Sequence, residues 1–394
     1  MNPPQMDKIR VLHLITRLIV GGAQENTMLT ASFLDKSRYE VEVWSGPQTG
    51  SEGSLKEEYR KRGIKLEFIP ELVREVNPVK DFLALFKIIR KLKRQPFDII
   101  HTHSSKAGIL GRIAAKLAGV PAIFHTVHGW SFHDRMSFAE RKIFIALEKW
   151  TERFTDNIIT VTDLDIKKGL DAGISKPDKY VTIHSGIEIE RYRDIQVDIQ
   201  KKRQELGIEE DAIIVGTVAR LSPQKAPLDF VEVVANVHRS YPDVKFVYVG
   251  DGPLREIVED RIREHRLENV ISLLGLRCDV PELLHCIDIF ALSSHWEGLP
   301  RVFPQAMAAG KPIVATRIDG ASEAIQHGTN GFLVEAGDVK GFSHYVGLLI
   351  KDKHLRNVMG RKGLDMIDPA FSARDMVLQI SRVYDELLNR IRPP

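Results

Sequence analysis

The chain has little cysteine: Cys278 and Cys286 are the only two among 394 residues. Two thiols cannot build a disulfide framework, and no Cys-x-x-Cys metal spacing exists. A reducing compartment is therefore expected. Long apolar runs are missing too. The first run, residues 9–20, is broken by His13, Thr16 and Arg17 and is too short and polar to span a bilayer. The segment Met1–Arg10 lacks the charged-then-apolar order of a secretory leader. Net charge is small as well, with 56 Lys and Arg against 53 Asp and Glu, or +3. That balance argues against nucleic acid as the main partner. Low-complexity tracts and repeats of solenoid period are absent. What remains is an ordinary globular composition, 43% hydrophobic and 28% charged, in a chain long enough for two cores. The expected location is cytoplasmic.

Strand-like and helix-like stretches alternate throughout. Short β-rich runs fall at 10–14, 41–44, 64–69, 99–101, 122–126 and 157–161. Each precedes a longer stretch with apolar residues at helical spacing. The pattern restarts at 212–218 and continues through 245–249, 270–273, 287–292 and 312–315. This is the βαβ signature of parallel sheets covered by helices on both faces. Two series predict two doubly wound α/β domains. The polar segment 188–204 is the expected join, and Val181-Thr-Ile-His-Ser-Gly186 reads as punctuation before it. A helix is predicted over roughly 374–390. Ligands of open α/β sheets bind beyond the carboxyl ends of the strands, so loops after strands are where chemistry is sought.

Four such loops stand out. Arg17-Leu-Ile-Val-Gly-Gly-Ala-Gln24 places Gly21 and Gly22 before a helix, where backbone can approach an anion. It is neither a Gly-x-Gly-x-x-Gly fingerprint nor a P-loop, and a tight turn explains it equally well. Val215-Gly-Thr-Val-Ala-Arg-Leu-Ser-Pro-Gln-Lys225 puts Arg220 and Lys225 just past a strand. Two cations there suit a diphosphate, although solvated surface cations are the commoner outcome. Val249-Gly-Asp-Gly-Pro253 reads as turn chemistry before a helix. Finally, Ala291-Leu-Ser-Ser-His-Trp-Glu-Gly-Leu-Pro-Arg-Val-Phe-Pro-Gln-Ala-Met-Ala-Ala-Gly310 runs from a strand into a loop, with a helix expected from Pro300 to about Ala309. Its leading amides favour an anion. Glu297 lies beside them, where a helix-start charge is the plainer reading, and Gln305 on the helix is otherwise a solvated side chain.

Histidines crowd two strand ends, His101 and His103, then His125 and His128. Paired histidines can bind metal, but no third ligand with a carboxylate is evident at suitable spacing. A neutral hydrogen-bonding role is expected instead. Asp163-Leu-Asp165 has the form of a metal-binding Asp-x-Asp, yet the following Ile-Lys-Lys points to helix capping. The stretch Asp81–Arg94 carries five cations within eight positions on a helical pattern. It reads as a sheet-packing helix with a solvated basic face, or as a patch for anionic lipid headgroups.

Taken together and in this order, the motifs resemble the family 4 glycosyltransferases, retaining enzymes of the GT-B fold. The resemblance runs from Gly21-Gly22 and His128-Gly129 through Ala219-Arg-Leu-Ser-Pro-Gln-Lys225 and Gly250-Asp-Gly-Pro. It continues through Leu274-Gly-Leu-Arg-Cys-Asp-Val-Pro-Glu-Leu-Leu284 and Glu297-Gly-Leu-Pro to Gly310-Lys-Pro-Ile-Val-Ala-Thr, Gly320-Ala-Ser-Glu and Gly328-Thr-Asn-Gly-Phe-Leu-Val334. It implies an acceptor-side domain over 1–190 and a nucleotide-sugar domain over 191–372. The helix at 373–394 would cross back onto the first, and two Rossmann-like sheets would face a cleft. It implies that Arg220 and Lys225 hold the donor diphosphate without a metal or other cofactor, and that the loop after Gly275, with Leu276, faces the base. Glu297 would contact the transferred sugar; Gly298, Leu299, Pro300 and Arg301 would meet phosphate or sugar. Gln305 would contact the ribose, and His128 the sugar near the reacting carbon. Catalytic weight falls on His128, Glu297, Arg220 and Lys225, with Gly21 and Gly22 on the donor side.

Three departures are visible. Gln305 stands where the family has a second glutamate, replacing a two-oxygen acceptor by one acceptor and one donor group. Ala226 stands where Gly usually follows the Lys, and Ser185 where Asn precedes Gly186. The implied reaction moves a sugar from a nucleotide-diphosphate donor, a UDP-hexose or UDP-N-acetylhexosamine ahead of GDP-mannose. The acceptor is a hydroxyl of a saccharide or lipid-linked saccharide, in polysaccharide or cell-envelope synthesis, with the 81–94 helix suited to the inner face of a membrane. Two rivals use the same fold. A 2-epimerase-type isomerase would release an altered free nucleotide-sugar. A non-catalytic subunit would bind donor without turnover.

Overall fold

The computed structural model describes residues 8–48, 53–132 and 136–391. The first seven residues of the segment weighed above as a leader lie outside them. The chain divides into two compact units, Met1–Ser185 with Ala373–Pro394, and Gly186–Ser372.

The first unit holds seven strands: β1 (Ile9–Ile15), β2 (Tyr39–Ser45), β3 (Lys65–Phe68), β4 (Ile99–His103), β5 (Ala122–Val127), β6 (Asn157–Thr160) and β7 (Tyr180–Thr182). They pair in the order β3-β2-β1-β4-β5-β6-β7, every pair parallel. The second unit holds β8 (Ile214–Val218), β9 (Lys245–Val249), β10 (Ile271–Gly275), β11 (Ile289–Leu292), β12 (Ile313–Thr316) and β13 (Gly331–Val334). Their order is β10-β9-β8-β11-β12-β13, again all parallel. Both are doubly wound sheets, and in each the chain order reverses beside the first strand.

Apolar runs become central strands because both faces are covered. In β1, Val11 turns to one face and joins Ile99, Phe124 and the helix Ala373–Ile391. Leu12 and Leu14 turn to the other and join Ile100, Ile123 and the helices Pro78–Arg94 and Ser105–Ala118 through Ala84, Ile88 and Ala114. The terminal helix is integral to the first unit. It buries Met376, Val377, Ile380, Tyr384 and Leu387. Each such side chain contributes about 1.5–3 kcal/mol, so together they match the whole margin of an ordinary domain, about 5–15 kcal/mol. Asp385 also accepts from Arg38 at 2.8 Å and from Tyr39 at 2.9 Å.

Two strands were not anticipated. β7 overlaps the segment read as punctuation, and β13 falls inside a motif read only as a family mark. Both lie at sheet edges and have three and four residues, too few to display a strand period.

The helix Pro78–Arg94 starts three positions earlier than its basic stretch suggested, at Pro78, because Asn77 caps it by accepting from the Lys80 amide at 3.0 Å. Its inner face is Ala84, Ile88 and Leu92. Its outer face is not simply basic: Val79, Phe82, Leu83 and Phe86 are exposed, a stripe at i, i+3, i+4 and i+7. Lys87 pairs with Glu71 and Lys91 with Glu67, so the positive field is weaker than a count of cations implies.

Candidate functional site

In the second unit the chain leaves β8 through Ala219-Arg220-Leu221-Ser222, makes one tight turn at Pro223–Lys225 and enters the helix Pro227–Ser240. The turn after β9 shapes this loop. A Cβ on Gly250, whose φ is +135°, would lie 2.0 Å from the Ala219 carbonyl oxygen. One on Gly252 would lie 2.4 Å from that of Leu221. Leu221 N–H donates to Asp251 O at 3.1 Å, and Leu254 N–H to Leu221 O at 3.0 Å. The Tyr248 hydroxyl donates to Arg220 O at 3.3 Å. The Gly250-Asp-Gly252 segment is thus more than a turn before a helix. It is a bare backbone surface on which the Arg220 loop rests.

Lys225 and Glu297 come together. The Lys225 ammonium donates to Glu297 Oε1, which also accepts from the Ser294 hydroxyl at 2.9 Å. Gln224 Nε2 donates to the Trp296 carbonyl at 3.0 Å and to Glu297 Oε2 at 3.3 Å. His295 N–H donates to Gln224 O at 2.8 Å. The hydroxyl of Ser293 donates to the carbonyls of Lys225 and Ala226, at 3.2 and 3.0 Å. The loops after β8 and β11 are therefore laced together around one carboxylate. Gln224, Ser293 and Ser294 escaped the sequence reading. Their signal was only adjacency to Lys225 and Glu297.

Ala226, where the family usually has glycine, sits in the left-handed region at φ 45°, ψ 55°. This backbone demand accounts for that preference. Beyond Glu297, Gly298 O accepts from the Gly320 amide at 3.0 Å. Gly298, Leu299 and Pro300 are buried. The helix spans Val302–Ala308, shorter than expected at both ends, because Phe303 N–H bonds back to Pro300 O at 3.0 Å as a tight turn. Arg301, expected among the donor ligands, turns its guanidinium inward and donates to the Gly186 carbonyl at 2.6 Å. Only its backbone stays in the candidate set. Gln305 is 6% exposed, so it is not a solvated side chain. Gly275 closes β10 at φ +66° and accepts from the Gly250 amide at 2.8 Å. Leu276, next along, is exposed. Arg277 then grips Asp279 at 2.6 and 2.7 Å. That contact, helped by Lys202, holds the Asp279 carboxyl well below the usual carboxylate range.

In the first unit, Gly21 is extended and leads into the helix Gly22–Phe33, with Glu25 N–H donating to Gly21 O at 3.0 Å. The histidines form a network. His13 Nδ1 lies 2.9 Å from His103 Nε2, and His103 Nδ1 lies 3.1 Å from His128 Nε2. His101 holds Tyr384 Oη at 2.5 Å and Thr126 Oγ1 at 2.6 Å. His125 Nδ1 meets Thr102 Oγ1 at 2.9 Å. Burial pushes His13 down to about 3 and pushes His101, His103 and His125 well below the ordinary imidazole range. A third histidine therefore does join His101 and His103. The three rings bring ligand atoms within 4.8 Å of one another, a spacing that a metal ion would accept. Both nitrogens of His101 and both of His103 are already in hydrogen bonds, and a neutral network uses them fully. His13 was missed because its closeness to His101 comes from the pairing of β1 with β4. Asp163 and Asp165 open the helix Asp163–Asp171, but the cap is Thr162, whose side chain accepts from the Asp165 amide at 3.1 Å.

Comparison with known proteins covers nearly the whole chain. Residues 20–191 match the model described as Glycosyltransferase Family 4, and residues 198–366 that of Glycosyl transferases group 1. The chain is 30% identical over 387 residues to the UDP-Gal:α-D-GlcNAc-diphosphoundecaprenol α-1,3-galactosyltransferase of Escherichia coli, covering 97% of this chain and 98% of that one. It is 27% identical to the N,N'-diacetylbacillosaminyl-diphospho-undecaprenol α-1,3-N-acetylgalactosaminyltransferase of Campylobacter jejuni, covering 84% and 88%. Among solved structures, HepE of Anabaena in complex with UDP-glucose superposes with a TM-score of 0.82 at 24% identity, covering 96% of this chain and all of that one.

Proposed function

Because the chain belongs to the family 4 glycosyltransferases and has the GT-B fold, we propose that it is a retaining enzyme moving a sugar from a UDP-sugar to a hydroxyl of a lipid-linked saccharide. The observation that carries this reading is the Lys225–Glu297 pair, laced to the Arg220 loop by Gln224 and Ser294. Both relatives named above act on diphosphoundecaprenol-linked saccharides and are named for α-1,3 transfer. Those names favour the acceptor class, and they favour retention from an α-linked donor.

Transfer breaks the bond between the anomeric carbon and the diphosphate oxygen. The acceptor oxygen bonds to the same carbon from the same face. Its proton passes to the departing diphosphate. Negative charge grows on the leaving group, so fixed cations speed the step. Arg220 offers a planar fork and Lys225 a point charge, and together they take the place of a metal ion. Glu297 holds the Lys225 ammonium in position before the donor arrives. One of its four lone-pair positions stays available for a sugar hydroxyl, three being taken by Lys225, Ser294 and Gln224. Gln305 contacts the ribose, Leu276 the base, and His128 is the first unit's contribution to the transferred sugar. Gly21, Gly22 and the backbone at Gly298 to Arg301 complete the donor set. The helix Pro78–Arg94, with its exposed apolar stripe beside Lys80 and Arg90, suits an anionic membrane surface where a lipid-linked acceptor resides.

The test is a donor panel of UDP-galactose, UDP-N-acetylgalactosamine, UDP-N-acetylglucosamine and GDP-mannose against a diphosphoundecaprenol-linked saccharide. Transfer from a UDP-sugar giving an α product, unaffected by a chelator, is expected. Arg220→Ala should lower kcat by about 10²–10³ with Tm unchanged. Full activity in that variant, or turnover with GDP-mannose alone, overturns the assignment.

A further inference from the structure

Three imidazoles run in line from the middle of the first unit's sheet to the end of β5. His13 lies on β1, His103 ends β4 and His128 follows β5. The two links are 2.9 Å and 3.1 Å long. His13 and His103 are fully buried, and His128 is half-buried. The rings are stacked along the chain, 5.2 Å between His13 and His103 and 5.4 Å between His103 and His128. Burial keeps the two inner rings neutral, since a charged imidazole there loses its hydration.

A neutral imidazole has one N–H and one bare nitrogen, so the line has only two settings. In one, every hydrogen points outward: His13 Nδ1–H donates to His103 Nε2, and His103 Nδ1–H donates to His128 Nε2. The far end is then a bare His13 Nε2. In the other, every hydrogen points inward, and the far end is a His13 Nε2–H. That nitrogen is buried and meets no partner. Orphaned buried N–H groups are rarer in folded proteins than unsatisfied acceptors, so the dead end selects the outward setting.

We propose that His103 is a positioning residue that holds His128 as its Nδ1–H tautomer, with the direction set by the unpartnered end of the chain at His13. This rests on the reading of His128 as a contact of the transferred sugar. Its consequence is that His128 presents a donor, aimed by a rigid two-ring support, to a sugar oxygen. His101 and His125 are not part of the line: both nitrogens of His101 are taken by Tyr384 and Thr126, and Nδ1 of His125 by Thr102.

The test is spectroscopic first. Long-range proton–nitrogen correlation on histidine-labelled protein at pH 7.5 reads each tautomer, with His128 assigned by loss of its signals in His128→Ala. A single Nδ1–H form of His128 is expected, with an unprotonated His13 Nε2. An Nε2–H form of His128 in the unsubstituted protein overturns the proposal and needs no variant to fold. The variants then separate cause from coincidence. In His103→Asn the carboxamide donor occupies the place of Nδ1, so the tautomer should persist. In His103→Gln the amide sits at the place of Nε2, so His128 should become a mixture of tautomers. Transfer should fall about tenfold or more in kcat for His103→Gln and recover in His103→Asn. A tautomer that ignores both substitutions refutes positioning by His103. Should the tautomer shift as expected while His128→Ala retains full transfer, positioning stands and the sugar-contact reading of His128 fails.

Discussion

Acid should unfold the first unit before the second, because four histidines are sealed in its sheet. His13, His101, His103 and His125 are all buried, and burial depresses each pKa. Their charged neighbours offer no relief, and the hydrogen bond of His125 to the Thr102 backbone, which works the other way, is outweighed by burial. His101 and His103 feel His13, His125 and His128, while His125 feels the Arg112 guanidinium, all unfavourable to a second positive charge. Tyr384, which meets His101 from the terminal helix, is pushed well above its usual range by burial and stays neutral. The sign follows from linkage. The unfolded chain binds these protons near pH 6.5 and the folded one only near pH 3 for His13. The stability from keeping them neutral is therefore complete above pH 6.5 and is lost as pH falls towards the folded pKa. At pH 5 the loss is about 2 kcal/mol for His13 alone. His101, His103 and His125 are shifted in the same direction and add to that loss, against a whole domain's margin of about 5–15 kcal/mol. Lys311 in the second unit, lowered to about 8 by burial, changes nothing in this window because both states are protonated. Asp279 loses its contribution only at more acid pH. Hydrogen exchange read strand by strand checks this. Between pH 7.5 and 5, corrected for intrinsic rates, protection should collapse in β1 and β4 and hold in β8 and β11. His13→Gln should flatten the dependence near pH 5.5 by about 1.4 kcal/mol per pH unit. Equal protection of β1 and β4 at both pH values refutes the reasoning.

Three further predictions follow from particular side chains. Ala226→Gly removes left-handed strain of about 1–2 kcal/mol and returns about 0.4–1 kcal/mol as unfolded-chain entropy. The second unit's Tm should therefore rise with kcat unchanged, and a fall in Tm would contradict the strain. Gln305→Glu should lower stability by about 1–2 kcal/mol without donor, since the site is buried, while donor KM stays level or drops; loss of transfer from folded protein would remove Gln305 from the ribose. Phe82→Ser with Phe86→Ser should weaken sedimentation with phosphatidylglycerol vesicles by about tenfold or more, and undiminished binding would clear the Pro78–Arg94 helix of that role.

The βαβ order, two sheets and the terminal helix were legible because buried parallel strands write themselves as apolar runs. β7 and β13 were not, being edge strands of three and four residues. That Arg220, Lys225 and Glu297 lie in loops just past strands was legible because each stands in a motif that follows an apolar run. The reasons for the motifs were not. Gly250 and Gly252 are glycines because another loop, some thirty residues earlier, lies against them. Ala226 marks a left-handed backbone that no composition reveals. The resemblance put Arg301 among the donor ligands, yet its side chain donates to Gly186 more than a hundred residues away.

The histidines show the same division more sharply. His101, His103, His125 and His128 could be singled out from spacing, but not His13, which reads as one polar interruption in an apolar strand. Pairing of β1 with β4 sets His13 opposite His101, and only then does an isolated residue become the closed end of a hydrogen-bonded line. A partner-free nitrogen at that end and a half-buried ring at the other give the line a direction. Functional geometry here depends on strand order, which a sequence encodes only through the complete fold.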